Sequence, residues 1–147
     1  MSPENPQAVA LDGTLADMLD LSLVAKQAHW NIVGPRFRAL HLLLDDLSTL
    51  ARDSADKIAE RSATLGHSPD GRVATVFQLS SLPTVAPGML HDAEAITSFL
   101  AILDAVATRI HTALEAFEDD VVTLDLYTSV LGEVEKYGWM LRAQGGA

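Results

Sequence analysis

The sequence contains no cysteine. That excludes disulfides, thiolate metal sites and thiol nucleophiles. Any bound metal must be held by His, Asp and Glu, a donor set that suits iron, manganese, zinc or magnesium. Long apolar runs are absent too, and nothing approaches the roughly 18 consecutive residues that span a bilayer. The opening Met1-Ser2-Pro3-Glu4-Asn5-Pro6 lacks the basic segment and following apolar stretch of a secretory signal, so the expected compartment is the cytoplasm. Cations are scarce: 10 Lys and Arg stand against 20 Asp and Glu, a net charge of −10, with no basic cluster at either end. An acidic surface repels nucleic-acid phosphates and attracts cations, and in its plainest reading it keeps a protein in solution. There is no internal repeat and no low-complexity segment.

What remains is 147 residues of which 48% are apolar, enough for one domain over 1–147 with a real core. Asn5-Pro6 reads as a helix start, a capping residue followed by proline at the first helical position. From there to Val33, apolar residues recur at helical spacing (Leu11, Leu15, Met18, Leu19, Leu23, Ala25), with Gly13 a weak point, until Gly34-Pro35 ends the helix. A second helix is expected from Phe37 to Thr64, with Leu40, Leu43, Leu44, Leu47, Leu50, Ala51 and Ile58 on one side. A loop follows over Gly66–Gly71, then a short helix over Val73–Leu79, with breaks at Pro83 and Pro87-Gly88. Two further long helices cover Met89 to Phe117 and Val121 to Ala143, joined by the acidic Glu118-Asp119-Asp120. Two long helices, a long connection carrying a short helix, and two more long helices describe an all-α, ferritin-like four-helix bundle with one crossover.

The polar residues of the second helix carry the chemistry. At about 100° per residue, His41, Asp45, Asp56 and Glu60 fall within a band of roughly 100°, nearly opposite the apolar side. The band points away from the chain's own core. One account is a solvated acidic face. Against it, the band also holds Leu42 and Ala59, and His41 stands one turn before Asp45, a spacing at which both can grip one ion. His41 and Asp56 are 15 positions apart, which is about 22 Å along a helix. They cannot bind one ion within one chain. Two antiparallel copies across a two-fold axis near Leu50 and Ala51 bring His41 and Asp45 of one chain towards Asp56 and Glu60 of the other, twice over. His29, in His29-Trp30-Asn31 before the Gly-Pro turn, is either a core or capping histidine or a further ligand beside His41. Two histidines and three carboxylates hold Fe(II) without locking it in and leave positions open for an oxidant; the same set accepts manganese or zinc.

The stretch Lys26-Gln27-Ala28-His29-Trp30-Asn31-Ile32-Val33-Gly34-Pro35-Arg36-Phe37 closely resembles the Dps family, the mini-ferritins or DNA-protection-during-starvation proteins. The likeness continues through Leu40-His41, Asp45-Asp46 and Asp56-Lys57-Ile58-Ala59-Glu60-Arg61. Glu135-Lys136-Tyr137-Gly138-Trp139-Met140-Leu141-Arg142-Ala143 is similar to that family's last helix, so the resemblance covers nearly the whole chain. It implies a hollow shell of twelve subunits with an iron-oxidising site at the two-fold interface. Its ligands would be His29, His41 and Asp45 of one subunit and Asp56 and Glu60 of the other. Trp30 matches an aromatic that is held to intercept stray oxidising equivalents, with ordinary packing as its plainer role. The implied chemistry is oxidation of Fe(II), preferably by hydrogen peroxide, with ferric oxide stored inside. The resemblance also places acidic residues at pores on three-fold axes, where Asp120 and Asp125 match best. Asp120 and Asp125 lie about 140° apart on a helix, so a cap on the last helix is an equal reading for Asp120.

Other functions fit less well. A di-iron site inside one bundle needs Glu-x-x-His pairs, and the glutamates at 60, 94, 115, 118, 133 and 135 have no histidine three positions on. A metal-free structural protein leaves the ligand spacing unexplained. A nucleoid protein that binds DNA needs a cation for each phosphate contact. Here the start, Met1-Ser2-Pro3-Glu4, has an acid and no lysine, and Gln144-Gly145-Gly146-Ala147 is uncharged apart from its carboxylate. The chain is therefore expected to leave duplex DNA unshifted in a gel-mobility assay near neutral pH, at physiological salt and without added divalent cations. Tight binding under those conditions would overturn this.

Overall fold

The computed structural model describes residues 5–146. Met1–Glu4 and Ala147, on which part of the tail argument rests, lie outside the described residues. Helix α1 (Pro6–Asn31) begins as its sequence dictates: the Asn5 side chain accepts from the Gln7 amide at 3.0 Å, and Pro6 occupies the first helical position. It stops at Asn31, short of the expected Val33. Ile32–Val33 (β1) leave the helix to pair in parallel with Leu90–His91 (β2). The same pairing delays α4, which runs Asp92–Leu114 instead of starting at Met89, and a 3-10 turn over Glu115–Phe117 follows it. Helix α2 (Phe37–Thr64) and the short α3 (Val73–Leu79) fall where the periodicity puts them. Helix α5 (Val121–Gly145) passes the expected Ala143, so Gln144 and Gly145 are helical and not tail. It ends at Gly146, whose φ of +80° is the left-handed cap that glycine accepts most easily.

The four long helices form a bundle in which α1 packs along α2, α4 along α5, α1 against α4, and α2 against α5. Because α2 ends at the far end of the bundle from β1, the chain must travel the bundle's length before β2 can pair with β1 and α4 can begin. That is the single crossover, and α3 lies within it against α1. Leu11, Met18 and Leu21 of α1 meet Leu40, Leu44, Leu47 and Ile58 of α2, with Phe99, Ile102 and Ile110 of α4 and Tyr127 of α5, all fully buried. At about 2 kcal/mol for each fully buried aliphatic side chain, this shared interior outweighs any local propensity. Leu23, expected on the apolar face of α1, is instead 59% exposed.

Gly13 shows why a helix-weakening residue sits inside α1. A Cβ there would overlap the Arg109 guanidinium, which crosses α1 at this point. Arg109 donates from Nε to Asp17 at 2.6 Å and from Nη2 to the Leu79 carbonyl at 2.7 Å. Asp17 has no solvent exposure and also accepts from the amide and hydroxyl of Ser81, each at 2.7 Å. Glycine costs a helix interior about 1 kcal/mol, whereas breaking a buried ion pair costs about 3 kcal/mol. The glycine is the smaller penalty, and the resulting network ties the crossover to α1 and α4. Among the described residues no helix is long and apolar enough to cross a membrane.

Candidate metal centre

The turn between α1 and α2 sets the position of the candidate ligands. Gly34 adopts φ +123°, and a Cβ there would stand 2.8 Å from the Asp92 carboxyl carbon. The buried Asp92 accepts from the Arg36 amide at 3.0 Å and from Arg36 Nε at 2.9 Å, while Arg36 Nη1 donates to the Gln144 carbonyl at 3.0 Å. The backbone and side-chain hydrogen bonds from Arg36 hold the Asp92 carboxyl below the usual carboxylate range against the opposing effect of desolvation. One side chain thus fastens the α1–α2 turn to the start of α4 and the end of α5.

Above this turn, His29 and His41 stack with ring centroids 3.7 Å apart and planes 13° from parallel. Each is oriented by the other's backbone. Nδ1 of His29 lies 2.7 Å from the His41 carbonyl, and Nδ1 of His41 lies 2.8 Å from the His29 carbonyl. A carbonyl can only accept, so both Nδ1 atoms carry hydrogen, and in the neutral ring the lone pair then lies on Nε2. That is the tautomer a metal ligand requires, fixed by an outer hydrogen bond in the usual way. Phe37 also stacks on His41, centroids 5.0 Å apart. Asp45, one turn along α2, is half exposed, and its carboxylate is bonded to the Lys26 ammonium from α1. The Lys26 hydrogen bond holds the Asp45 carboxyl below its ordinary range, so it is ionised at neutral pH. Trp30 projects into solvent, 70% exposed.

His29, His41 and Asp45 are therefore neighbours at one end of the α1–α2 hairpin. Asp56 and Glu60 are exposed further down α2, with Asp56 about 22 Å from His41 by helical rise. Among the described residues no three His, Asp or Glu side chains of a single chain group closely enough to hold a metal ion. The spacing of the two halves is regular. His41 and Glu60 are equidistant from the midpoint between Leu50 and Ala51, and so are Asp45 and Asp56.

Asp120 does cap α5: its carboxylate accepts from the Thr123 amide at 3.1 Å. It also takes two hydrogen bonds from Arg61 Nη2, at 2.8 and 2.9 Å, while Arg61 Nε donates to Thr123 Oγ1 at 2.8 Å. Asp125 is exposed on the next turn of α5. Three residues that shape these places have no role in the sequence reading: Lys26, Phe37 and Arg61. Lys26 stands three positions before His29 and Phe37 four before His41, spacings that put each beside a ligand on one helix face. Arg61 stands next to Glu60, but its partner Asp120 is 59 positions away and no periodicity signals it.

The chain matches the sequence profile of the Ferritin family, described as a ferritin-like domain, over residues 8–146. It is 39% identical over 135 residues to DNA protection during starvation protein 2 of Deinococcus radiodurans; the match covers 91% of this chain and 56% of that protein, so the chain spans little more than half of that relative. It is 35% identical over 138 residues to the DNA protection during starvation protein of Mycolicibacterium smegmatis, covering 90% of this chain and 73% of the other. Among solved structures, the crystal structure of Dps92 from Deinococcus radiodurans superposes with a TM-score of 0.89 at 38% identity, over 96% of this chain and 87% of that one. Dps from Microbacterium arborescens, solved in what is called its high iron form, superposes with a TM-score of 0.89 at 30% identity over 100% of this chain and 99% of that one.

The Asp120 cluster makes a pH-dependent prediction. Hydrogen bonds from Thr123 and then Arg61 lower its carboxyl to about 2, against about 3.9 in an unfolded chain. A depressed folded pKa stabilises above the unfolded value and ceases to do so as pH falls through the folded one. Asp120→Ala should cost about 1 kcal/mol at pH 6 through loss of the cap, and the gap to the parent should close between about pH 4 and pH 2. Chemical unfolding followed by helical circular dichroism, at matched protein concentration, reads this directly. A gap unchanged across that range would show that the carboxylate's charge is not what stabilises the helix start.

Proposed function

The chain belongs to the ferritin-like Dps family, and from that premise we propose that it oxidises Fe(II) at sites shared between two subunits and stores the ferric product. The observation that carries the reading is the equal spacing of His41/Glu60 and Asp45/Asp56 about one midpoint of α2. An antiparallel copy of α2 that shares this midpoint sets each ligand opposite its counterpart, and each pair of chains then holds two equivalent sites. His29, His41 and Asp45 of one subunit would join Asp56 and Glu60 of the other around Fe(II), which is substrate here and no permanent cofactor. The reciprocal histidine hydrogen bonds leave both Nε2 lone pairs free, and the ionised Asp45 supplies negative charge. Lys26 balances that charge in the chain without iron. With hydrogen peroxide as oxidant, each of two ferrous ions gives up one electron, the O–O bond breaks, and two protons complete two water molecules. Consuming ferrous iron and peroxide together limits hydroxyl radical. Trp30, next to His29, is placed to take up stray oxidising equivalents.

The assembly we propose is the twelve-subunit shell implied by the family, working in the cytoplasm without a membrane partner. DNA is not a favoured partner in this reading. Among the described residues, six of the ten cations (Lys26, Arg36, Arg61, Arg72, Arg109 and Lys136) are paired with acids of the same chain, and Arg38, Arg52, Lys57 and Arg142 form no such pair with a described residue. A closed shell also needs an entrance for ferrous ions, which follow negative potential. We assign it to the acidic start of α5, with the exposed Asp125 lining it and Asp120 shaping it through the cap.

Two measurements test this. An Asp56→Ala/Glu60→Ala variant and a His29→Ala/His41→Ala variant should each lose most peroxide-driven Fe(II) oxidation. Dissociated and co-assembled, they should recover part of it, because some mixed interfaces carry one intact set of ligands. Verified co-assembly with no recovery would defeat the shared site. Asp125→Asn, which removes charge at nearly constant size, should slow initial iron uptake at low ferrous concentration several-fold in an intact shell. An unchanged initial rate would remove Asp125 from the entrance.

A further inference from the structure

The His41 imidazole carries a ring on each of its faces. His29 stacks on it with centroids 3.7 Å apart, and Phe37 stacks on it at 5.0 Å with planes 28° from parallel. Two rings this close cannot share one face of an imidazole without overlapping, so Phe37 covers the face that His29 leaves open. Phe37 is the first residue of α2 and stands one turn before His41, a spacing at which side chains meet on one helix face. Its own place is set by the α1–α2 turn. The Phe37 amide donates to the Gly34 carbonyl at 3.0 Å, and the neighbouring Arg36 is fastened to Asp92 and to the Gln144 carbonyl. Phe37 is nevertheless 45% exposed, so the core gains little from it, and its firmest contact is with a candidate ligand.

We propose that Phe37 is a positioning residue, whose ring holds the His41 imidazole at the angle at which Nε2 meets Fe(II). The inference rests on the iron chemistry proposed above and identifies what keeps one of its ligands aimed. The bond from Nδ1 to the His29 carbonyl fixes one point of the His41 ring. A ring held at one point still swings about it, because the last torsion of a histidine is broad. His29 blocks the swing to one side and Phe37 blocks it to the other. The constraint matters most once a cation is bound. A divalent ion drawing electrons through Nε2 leaves each imidazole partly positive, and two such rings face to face repel. The repulsion drives His41 away from His29 and towards Phe37, whose negative π face attracts a positively polarised ring. An aliphatic side chain of similar bulk lacks that attraction. Because His29 is held in turn by the His41 carbonyl and ring, a tilt of His41 loosens both histidines.

Phe37→Leu keeps apolar bulk and removes the ring, whereas Phe37→Tyr keeps the ring. In the assembled protein, an anaerobic titration with Co(II) reads the site through its visible absorption bands without any turnover. Phe37→Leu should shift those bands, weaken Co(II) binding about tenfold and raise KM for Fe(II) by a similar factor, while kcat at saturating iron changes by less than about twofold, since outer partners of a metal ligand act mainly on affinity. Phe37→Tyr should return all of these to the parent values. Parent-like Co(II) binding and KM in Phe37→Leu, or an equal loss in Phe37→Tyr, overturns the positioning role. His41→Ala separates that outcome from the underlying reading. It should lose the Co(II) bands and most Fe(II) oxidation; if it binds Co(II) and oxidises Fe(II) as the parent does, His41 is no ligand and both inferences fall. If His41→Ala loses both and Phe37→Leu loses neither, only the positioning role falls. Helical content and oligomer size are checked in each variant. Should Phe37→Leu disturb assembly, Phe37→Met takes its place with the same two outcomes.

Discussion

The register between α1 and α2 is the constraint on which the rest of the molecule turns. It is fixed at three levels of the hairpin: Ser48 donates to the Ser22 carbonyl at 2.8 Å, Lys26 meets Asp45, and His29 and His41 exchange hydrogen bonds with each other's backbone. These contacts hold two helices side by side with no freedom to slide. His29 and His41 are consequently held in place, each with Nδ1 bonded to the other's backbone carbonyl. Preorganisation of this kind lowers the ordering cost of binding.

A rigid helix also forbids things. Because α2 is one continuous helix of 28 residues, it cannot fold its own Asp56 and Glu60 back onto His41. His41 and Asp45 stay apart from Asp56 and Glu60 in one chain, so any metal chemistry that needs all four would belong to an assembly. Leu23 and Trp30 of α1 and Phe37 and Leu42 of α2 are exposed in the single chain.

An acidic chain must also keep its interior carboxylates satisfied, and it does so with cations drawn from a small supply. Asp17 takes Arg109, Asp92 takes Arg36 and Asp120 takes Arg61. Each pair joins elements far apart in sequence: α1 to α4, the α1–α2 turn to the start of α4, and α2 to the start of α5. Cations committed in this way are withdrawn from the surface. What is left outside is largely acidic, a surface that attracts cations and repels anions.

The helices were legible in the sequence because local rules set them: periodic apolar residues, Asn5-Pro6 at a start, glycine and proline at the ends. The polar band of α2 was legible for the same reason, since angle and rise along one helix need no partner. The candidate residues on α2, and the argument that they cannot meet around one ion within a chain, come from residues and spacing, whereas His29 joins the proposed set through the family resemblance. Tertiary structure decided what depends on groups distant in sequence. The Ile32–Leu90 pairing shortened two helices, Arg109 explained the glycine inside α1, and Arg61 was joined to the Asp120 cap, while the hairpin brought Lys26 against Asp45 and Phe37 against His41. Leu23 turned outward although its period suggested the core, because the packing angle of α1 against its neighbours, and not the period, chooses which part of an apolar stripe is covered. Periodicity reports which side of one helix is apolar; only the meeting of two helices determines what that side touches.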